Sequence, residues 1–258
     1  MAGRVQDKVV VVTGGARGQG AAEARALADD GAHVIVGDIL DDAGRELADS
    51  YGSGVGSITF RHLDVTNPED WQDLRQFIAE TFGRVDGLVN NAGIPARDRL
   101  PNVDLASWHR SFNINVTGAL LGMQAMVDLM KPGSSIVNIS SVAGLQGHVA
   151  APYTVSKWAI RGLSKVASLE FGPLGVRVNT VFPGLIDTEI MSGASPAFRG
   201  TAIEETPLGR IGAAEDVAPL IVYLIADESS YVTGAEIVVD GGLTGHVSAK
   251  RIADAIAV

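Results

Sequence analysis

Val9-Val-Val-Val-Thr-Gly-Gly-Ala-Arg-Gly-Gln-Gly20 decides how the chain is read. Its first four residues form a wholly apolar β-branched run, the pattern of a strand covered on both faces. A helical stretch follows from about Gly18 to Asp30, with alanines and Leu27 on its packed face. Between strand and helix the glycines let the backbone turn tightly and come close to a pyrophosphate. The helix start then offers free N–H groups and a partial positive charge. Gly14, Arg17, Gly18, Gln19 and Gly20 are therefore candidate contacts for the phosphates of a dinucleotide. A glycine cluster alone is common punctuation; its place in a strand–turn–helix unit gives it weight.

Working outward, the second apolar run, His33-Val-Ile-Val-Gly-Asp38, ends in an acid about twenty residues after the turn. A carboxylate there can accept from a ribose 2′-hydroxyl and repels a 2′-phosphate, which favours NAD over NADP. Asp38, with Ile39 beside it, is assigned to the adenosine end. Further strands are predicted at Ser57 to Asp64, Asp86 to Asn91, Ser134 to Ser141, Arg177 to Phe182 and Glu236 to Asp240. Helices are predicted at about Asp41 to Tyr51, Pro68 to Phe82, Leu105 to Met130, Ala151 to Phe171 and Ala214 to Ala226. Asn67, just before Pro68, is the expected cap of the Pro68 helix. Seven strands alternating with helices imply an α/β Rossmann fold, a parallel sheet with helices on both faces, in one domain spanning 1–258. The irregular stretch Thr188 to Gly212 is too long for an ordinary connection and is a candidate substrate loop. Its apolar residues Met191, Phe198 and Ile203 suggest a mainly apolar substrate.

The chain has 258 residues, 46% of them hydrophobic and 19% charged, which argues against disorder. Its net charge of −10 disfavours nucleic acid or an anionic membrane surface as partner. With no cysteine, disulfides, thiolate ligands and a cysteine nucleophile are excluded. The five histidines show no metal-ligand spacing, so no metal is expected. The N-terminus lacks a signal-peptide profile, and Val217 to Ala226 is too short to span a bilayer. A cytoplasmic location is the expectation.

Tyr153-Thr-Val-Ser-Lys157 opens a predicted helix, and Tyr153 alone among the four tyrosines has a lysine four residues on. That spacing puts both side chains on one helical face. A free phenol, with a pKa near 10, is a poor base at neutral pH; a neighbouring cation favours the phenolate. Tyr153 can then exchange a proton with a substrate oxygen while hydride moves at carbon. Upstream, Ile136-Val-Asn-Ile-Ser-Ser141 ends in two hydroxyls at a strand's carboxyl end, where open α/β sheets bind ligands. Ser141 is the expected substrate-oxygen partner, and Ser140 becomes the candidate if the following loop is read one residue shifted. His148 in that loop either faces the substrate or is simply exposed.

Taken together these residues resemble the short-chain dehydrogenase/reductase family along essentially the whole chain. Asn90-Asn-Ala-Gly93 looks like the family's motif after the fourth strand, so the resemblance implies cofactor contacts for Asn91, Ala92 and Gly93. Asp64 and Val65 resemble the pair against the adenine ring, and Asn115 the helix asparagine of a proton relay through a bound water. Pro183, Gly184, Ile186 and Thr188 look like the segment holding the nicotinamide carboxamide; Tyr153 and Lys157 also touch the cofactor in this reading. Within the family, Thr13 to Gly20, Ser156 to Ser164 and Ser229 to Ala235 look most like the bacterial 3α(20β)-hydroxysteroid dehydrogenase branch. The resemblance further implies a homotetramer with the helices of 105–130 and 151–171 at its contacts.

The expected activity is NAD-dependent hydride transfer between nicotinamide and a bulky apolar secondary alcohol or ketone. A 3-oxoacyl-carrier-protein reductase is the rival, disfavoured by Asp38 and the acidic balance. A non-catalytic NAD-sensing scaffold is the second alternative, and retention of Ser141, Tyr153 and Lys157 argues against it. The tail from Thr244 to Val258 either covers a neighbouring subunit's site or is a loose end.

Overall fold

A computed structural model of the chain describes residues 3–52, 54–191, 194–246, 250, 254 and 255. Met1, Ala2, residues 192 and 193 of the expected substrate loop, and most of the tail beyond His246 lie outside the described residues.

The elements follow the predicted alternation. They are β1 Val9–Thr13, α1 Gly18–Asp29, β2 His33–Asp38, α2 Asp41–Tyr51, β3 Ser57–His62, α3 Pro68–Thr81 and β4 Val85–Asn90. After these come α4 Leu105–Phe112, α5 Gly118–Met126, β5 Met130–Ile139, α6 Ala151–Phe171, β6 Arg177–Pro183, α7 Pro196–Glu205, α8 Ala214–Ile225 and β7 Glu236–Val239. All seven strands pair in parallel in the order β3-β2-β1-β4-β5-β6-β7. The order reverses between β1 and β4, and the crevice at such a reversal is where open α/β sheets take their ligands.

Parallel strands must be covered on both faces, and two apolar clusters do this. On one side Val10, Val12, Val34 and Val36 meet α1 and α8 through Ala24, Leu27, Val217 and Ile221. On the other side Val9, Val11, Ile35 and Leu88 meet Trp71, Leu74, Met123 and Ala167 of α3, α5 and α6. Every residue of β1 is buried, so each of its valines contributes on the order of 1.5–3 kcal/mol of transfer free energy. Asn67 caps α3, its side chain accepting from the Glu69 N–H at 3.0 Å, and Pro68 occupies the first turn.

Three departures from the predicted elements bear on the site. The helix expected over Leu105 to Met130 is interrupted by a π-helical turn, Asn113–Thr117, between α4 and α5. Strand β5 starts at Met130, inside that predicted helix, and ends at Ile139, leaving both serines outside the strand. The stretch Thr188 to Gly212 is not irregular throughout, since Ser195 caps α7 by accepting from the Phe198 N–H at 3.2 Å. Among the described residues, no helix is long and apolar enough to cross a membrane.

Candidate active site

The site gathers at the carboxyl ends of β1, β2, β4, β5 and β6. Gly14 and Gly18 have φ of +61° and +56°, a left-handed conformation that side chains rarely adopt. Gly20 is required by proximity: a Cβ there would stand 2.4 Å from the Gly14 carbonyl and 2.5 Å from Asn91 Nδ2. Arg17 is the exposed N-cap residue of α1 and makes no side-chain capping bond. The helix therefore presents its start uncapped beside a glycine cradle, and that donor set fits the pyrophosphate of a dinucleotide. Gln19 turns its side chain onto Glu23, donating to Oε1 at 2.9 Å.

Asp38 sits at the same turn, largely buried. It accepts from the Ala16 N–H at 3.0 Å and the Leu40 N–H at 3.1 Å. One carboxylate thus ties the phosphate turn to the start of α2. Ile39 beside it is 60% exposed, an apolar side chain available to a flat ring. Asp64 is committed to a local turn, Oδ1 accepting from the Thr66 N–H at 2.9 Å and its hydroxyl at 2.8 Å. Val65 is buried, and its carbonyl accepts from Trp71 Nε1 at 3.0 Å.

Across the turn Asn91 donates from Nδ2 to the carbonyls of Thr13 and Gly14, both at 3.0 Å. Thr13 Oγ1 accepts the N–H groups of Asn91 at 3.1 Å and Ala92 at 3.0 Å. Thr13, quoted in the motif but not singled out as a site residue, is thereby the post that locks the end of β4 to the end of β1. Its signal, a threonine heading the glycine run, is visible in sequence; its partners require knowing that β1 and β4 are neighbours. Gly93 comes next, and a Cβ there would lie 3.3 Å from Asn115 Oδ1 and 3.5 Å from Lys157 Nζ, so both polar atoms border the space above it.

Asn115 lies within the π-helical turn, almost wholly buried. Its Oδ1 accepts the Ile94 N–H at 2.8 Å, while Nδ2 donates to Ser156 Oγ at 2.9 Å and to the Ile94 carbonyl at 3.2 Å. Single-turn π-bulges recur at functional sites because the extra residue re-aims side chains. Ser156, overlooked in the sequence although it precedes Lys157, in turn donates to the Tyr153 carbonyl at 2.7 Å.

The two serines separate by role. Ser140 Oγ is buried and committed to the Lys157 carbonyl, donating to it at 2.9 Å. Ser141 Oγ accepts the Ala143 N–H at 3.2 Å, and its side chain is near enough to the Tyr153 phenol to favour the phenolate. His148 is exposed, its Nδ1 accepting from the Ala150 N–H at 3.3 Å. Lys157 is buried, with Nζ donating to the Ile139 carbonyl at 2.9 Å and lying 5.7 Å from the Tyr153 ring centre. Burial pushes the Lys157 ammonium down to about 8. Burial also pushes the Tyr153 phenol up, against the sequence-based expectation of a lowered value, and the Ser141 side chain pulls it back in part.

The remaining edge comes from β6 and the loop after it. Pro183 ends the strand, and the Gly184 N–H donates to the Val239 carbonyl at 2.9 Å. Ile186 bridges to Gly212, closing the base of the 188–212 loop. Thr188 packs close to Gly18, which brings this segment over the phosphate turn. Asp187 pairs with Arg199 of α7 at 2.7 Å, and Arg210 pairs with Asp216 at 2.6 Å. Of the loop's apolar residues, Met191 is buried while Phe198 and Ile203 are partly exposed. The tail begins by bracing the same loop: His246 Nε2 lies 3.1 Å from the Glu205 carbonyl.

A doubly wound parallel sheet with an uncapped glycine turn at its reversal point and a serine–tyrosine–lysine group beside it defines a nicotinamide-nucleotide oxidoreductase. Comparison with known proteins agrees. A family model described as enoyl-(acyl carrier protein) reductase matches residues 14–244. The chain is 42% identical over 249 residues to trans-4-hydroxycyclohexanecarboxylate dehydrogenase of Sinomonas cyclohexanicum, covering 93% of this chain and 94% of that one. It is 44% identical over 245 residues to a 3-alpha-(or 20-beta)-hydroxysteroid dehydrogenase of Mycobacterium tuberculosis, covering 94% and 91%. The crystal structure of a short-chain dehydrogenase/reductase, glucose/ribitol dehydrogenase, from Brucella melitensis superimposes with a TM-score of 0.89 at 31% identity, covering 94% of this chain and 99% of that one. The chain belongs to the short-chain dehydrogenase/reductase family.

Proposed function

We propose that this protein is an NAD-dependent dehydrogenase that interconverts a secondary alcohol and its ketone on a bulky, apolar, ring-bearing substrate. The observation that carries this reading is Ser141 beside the Tyr153 phenol just past the carboxyl end of β5, with the buried Lys157 ammonium one helical turn on.

NAD, when bound, supplies or removes the hydride at the substrate carbon. Ser141 and Tyr153 hold the substrate oxygen between their hydroxyls, and Tyr153 gives or takes its proton. Lys157 offers its remaining N–H donors to the cofactor's nicotinamide ribose and keeps positive charge next to the phenol. Asn115 positions the Ile94 backbone and Ser156 around that lysine. Asp38 accepts from the adenosine ribose, with Ile39, Asp64 and Val65 around the adenine. Gly14, Arg17, Gly18, Gln19 and Gly20 serve the pyrophosphate, and Asn91, Ala92 and Gly93 the middle of the cofactor. Pro183, Gly184, Ile186 and Thr188 line the carboxamide edge.

Phe198, Ile203 and Leu208 are exposed apolar side chains of the 188–212 loop, which supports an apolar ring substrate. So do the ring alcohols named in the two relatives. We further assign a single domain and a cytoplasmic homotetramer. Its support is the exposed stripe Val155, Trp158, Val166 and Leu169 along one side of α6.

The test is NADH absorbance with steroids, cyclic alcohols and ketones, and acyl thioesters, for the wild type and Tyr153→Phe. The expected result is turnover of cyclic substrates, reduced on the order of 10²–10⁴-fold in the variant while NADH still binds. Undiminished turnover by the variant refutes the assigned acid/base; turnover of acyl thioesters alone refutes the substrate class.

A further inference from the structure

Glu23 is the buried carboxylate of the phosphate-binding helix, and the proposed reaction leaves it without a task. It is wholly buried in α1, the helix whose start forms the phosphate turn. One oxygen, Oε1, accepts from Gln19 Nε2 at 2.9 Å; among the described residues the other, Oε2, has no partner. An uncompensated buried carboxyl is costly when charged, so the neutral acid is the form that fits this place. Burial accordingly pushes it up to about 8, with the Gln19 bond opposing.

No charged neighbour sets that ionisation. Helix α1 packs on α8 and on β1, β2 and β3. Of these, α8 carries Glu215, Asp216 and Tyr223, β2 carries His33 and Asp38, β3 carries Arg61 and His62, and β1 has no titratable side chain. Arg17 at the cap and Arg25 within α1 are the cations, with Asp29 at the helix end. Burial and Gln19 alone account for the shift.

We propose that Glu23 is a positioning residue of the dinucleotide site, holding Gln19 in its neutral form and opposing the dinucleotide's phosphates when it ionises. This rests on the reading of the site as a dinucleotide site. Glu23 lies five residues into α1, about 7.5 Å of helical rise from the phosphate turn. A negative charge there works against the positive helix start and against the phosphates themselves. By linkage, binding then raises the Glu23 pKa, so affinity is fully present below about 8 and falls as pH rises through that value. A rise of one unit on binding weakens affinity between pH 7 and 9.5 by roughly five- to tenfold.

The experiment is the Kd of NADH, read by fluorescence at pH 7, 8, 9 and 9.5, for the wild type, Glu23→Gln and Glu23→Met. Lys157 titrates in the same range but is common to all three proteins, so the difference between profiles isolates Glu23. The expected result is a roughly five- to tenfold weaker Kd at pH 9.5 than at pH 7 in the wild type. At least one variant is expected to lose that component. The Met variant carries the comparison if the buried amide of the Gln variant prevents folding. Coincident profiles for wild type and a folded variant overturn the proposal alone. Failure of the wild type to bind NADH at any pH overturns the dinucleotide reading, and this proposal with it.

Discussion

Replacing Asn115 with alanine removes one accepted hydrogen bond and two N–H donors shared among three acceptors. The contacts run to the Ile94 N–H at 2.8 Å, the Ile94 carbonyl at 3.2 Å, Ser156 Oγ at 2.9 Å and Ser111 Oγ at 3.4 Å. They are not equal in consequence. Ser111 is the long contact and its hydroxyl can rotate. Ser156 retains its donation to the Tyr153 carbonyl. Ile94, half-buried, loses partners for both of its backbone groups, at about 1 kcal/mol each. With roughly another 1 kcal/mol for the Ser156 contact, the total is on the order of 2–4 kcal/mol. In a chain of this size that lowers the thermal midpoint by roughly 5–10 °C. Urea unfolding followed by circular dichroism measures the loss. Ser156→Ala alone is expected to cost about 1 kcal/mol. The double variant is expected to fall short of the sum by about the worth of the shared bond. A loss below about 1 kcal/mol for Asn115→Ala, or strict additivity with Ser156→Ala, would refute the account of Asn115 as the tie between the π-helical turn, Ile94 and α6.

Other expectations follow from single groups. Asp38→Asn removes a charge that repels a 2′-phosphate, so the NADPH-to-NADH affinity ratio should rise at least about tenfold, or 1.4 kcal/mol. An unchanged ratio would place cofactor choice elsewhere. Glu23 also predicts a stability profile. Its folded pKa of about 8 stands above the ordinary 4.5, so the folded state holds the proton more tightly. Stability from this group is therefore present at low pH and is lost as pH rises from about 4.5 to about 8, at up to roughly 1.4 kcal/mol per unit. Between pH 5.5 and 8 the wild type should lose roughly 3 kcal/mol that Glu23→Gln does not lose. Parallel urea-stability profiles for the two proteins would show that Glu23 is not buried as an acid.

The strand pattern was readable because parallel strands buried on both faces are continuous apolar runs, as Val9 to Val12 and Val34 to Val36 are. The cap at Asn67 was readable for a local reason: cap, proline and acids lie within five residues. The break in the 105–130 helix was not. A π-helical turn adds one residue without interrupting the run of leucine, alanine and methionine that signals a helix. What stabilises the turn is Asn115 bonding to Ile94, twenty-one residues away. Helix α7 was missed within its loop although Ser195-Pro196 is a start signal, because its apolar residues are too few to mark a face.

Sequence by itself determined the identity of the chemistry. The glycine turn after a buried strand, an acid at the end of the next strand, and a tyrosine and lysine one helical turn apart are local patterns, set by backbone conformation and side-chain spacing. Tertiary structure decided what distance along the chain conceals. It set Ser141 rather than Ser140 against Tyr153, because the Ser140 hydroxyl is taken up by the Lys157 carbonyl. It made Thr13 the lock between β1 and β4, because those strands are neighbours only after the sheet reverses its order. And it turned Glu23 from an ordinary helical acid into a buried one, because packing removes its water and supplies no cation in return.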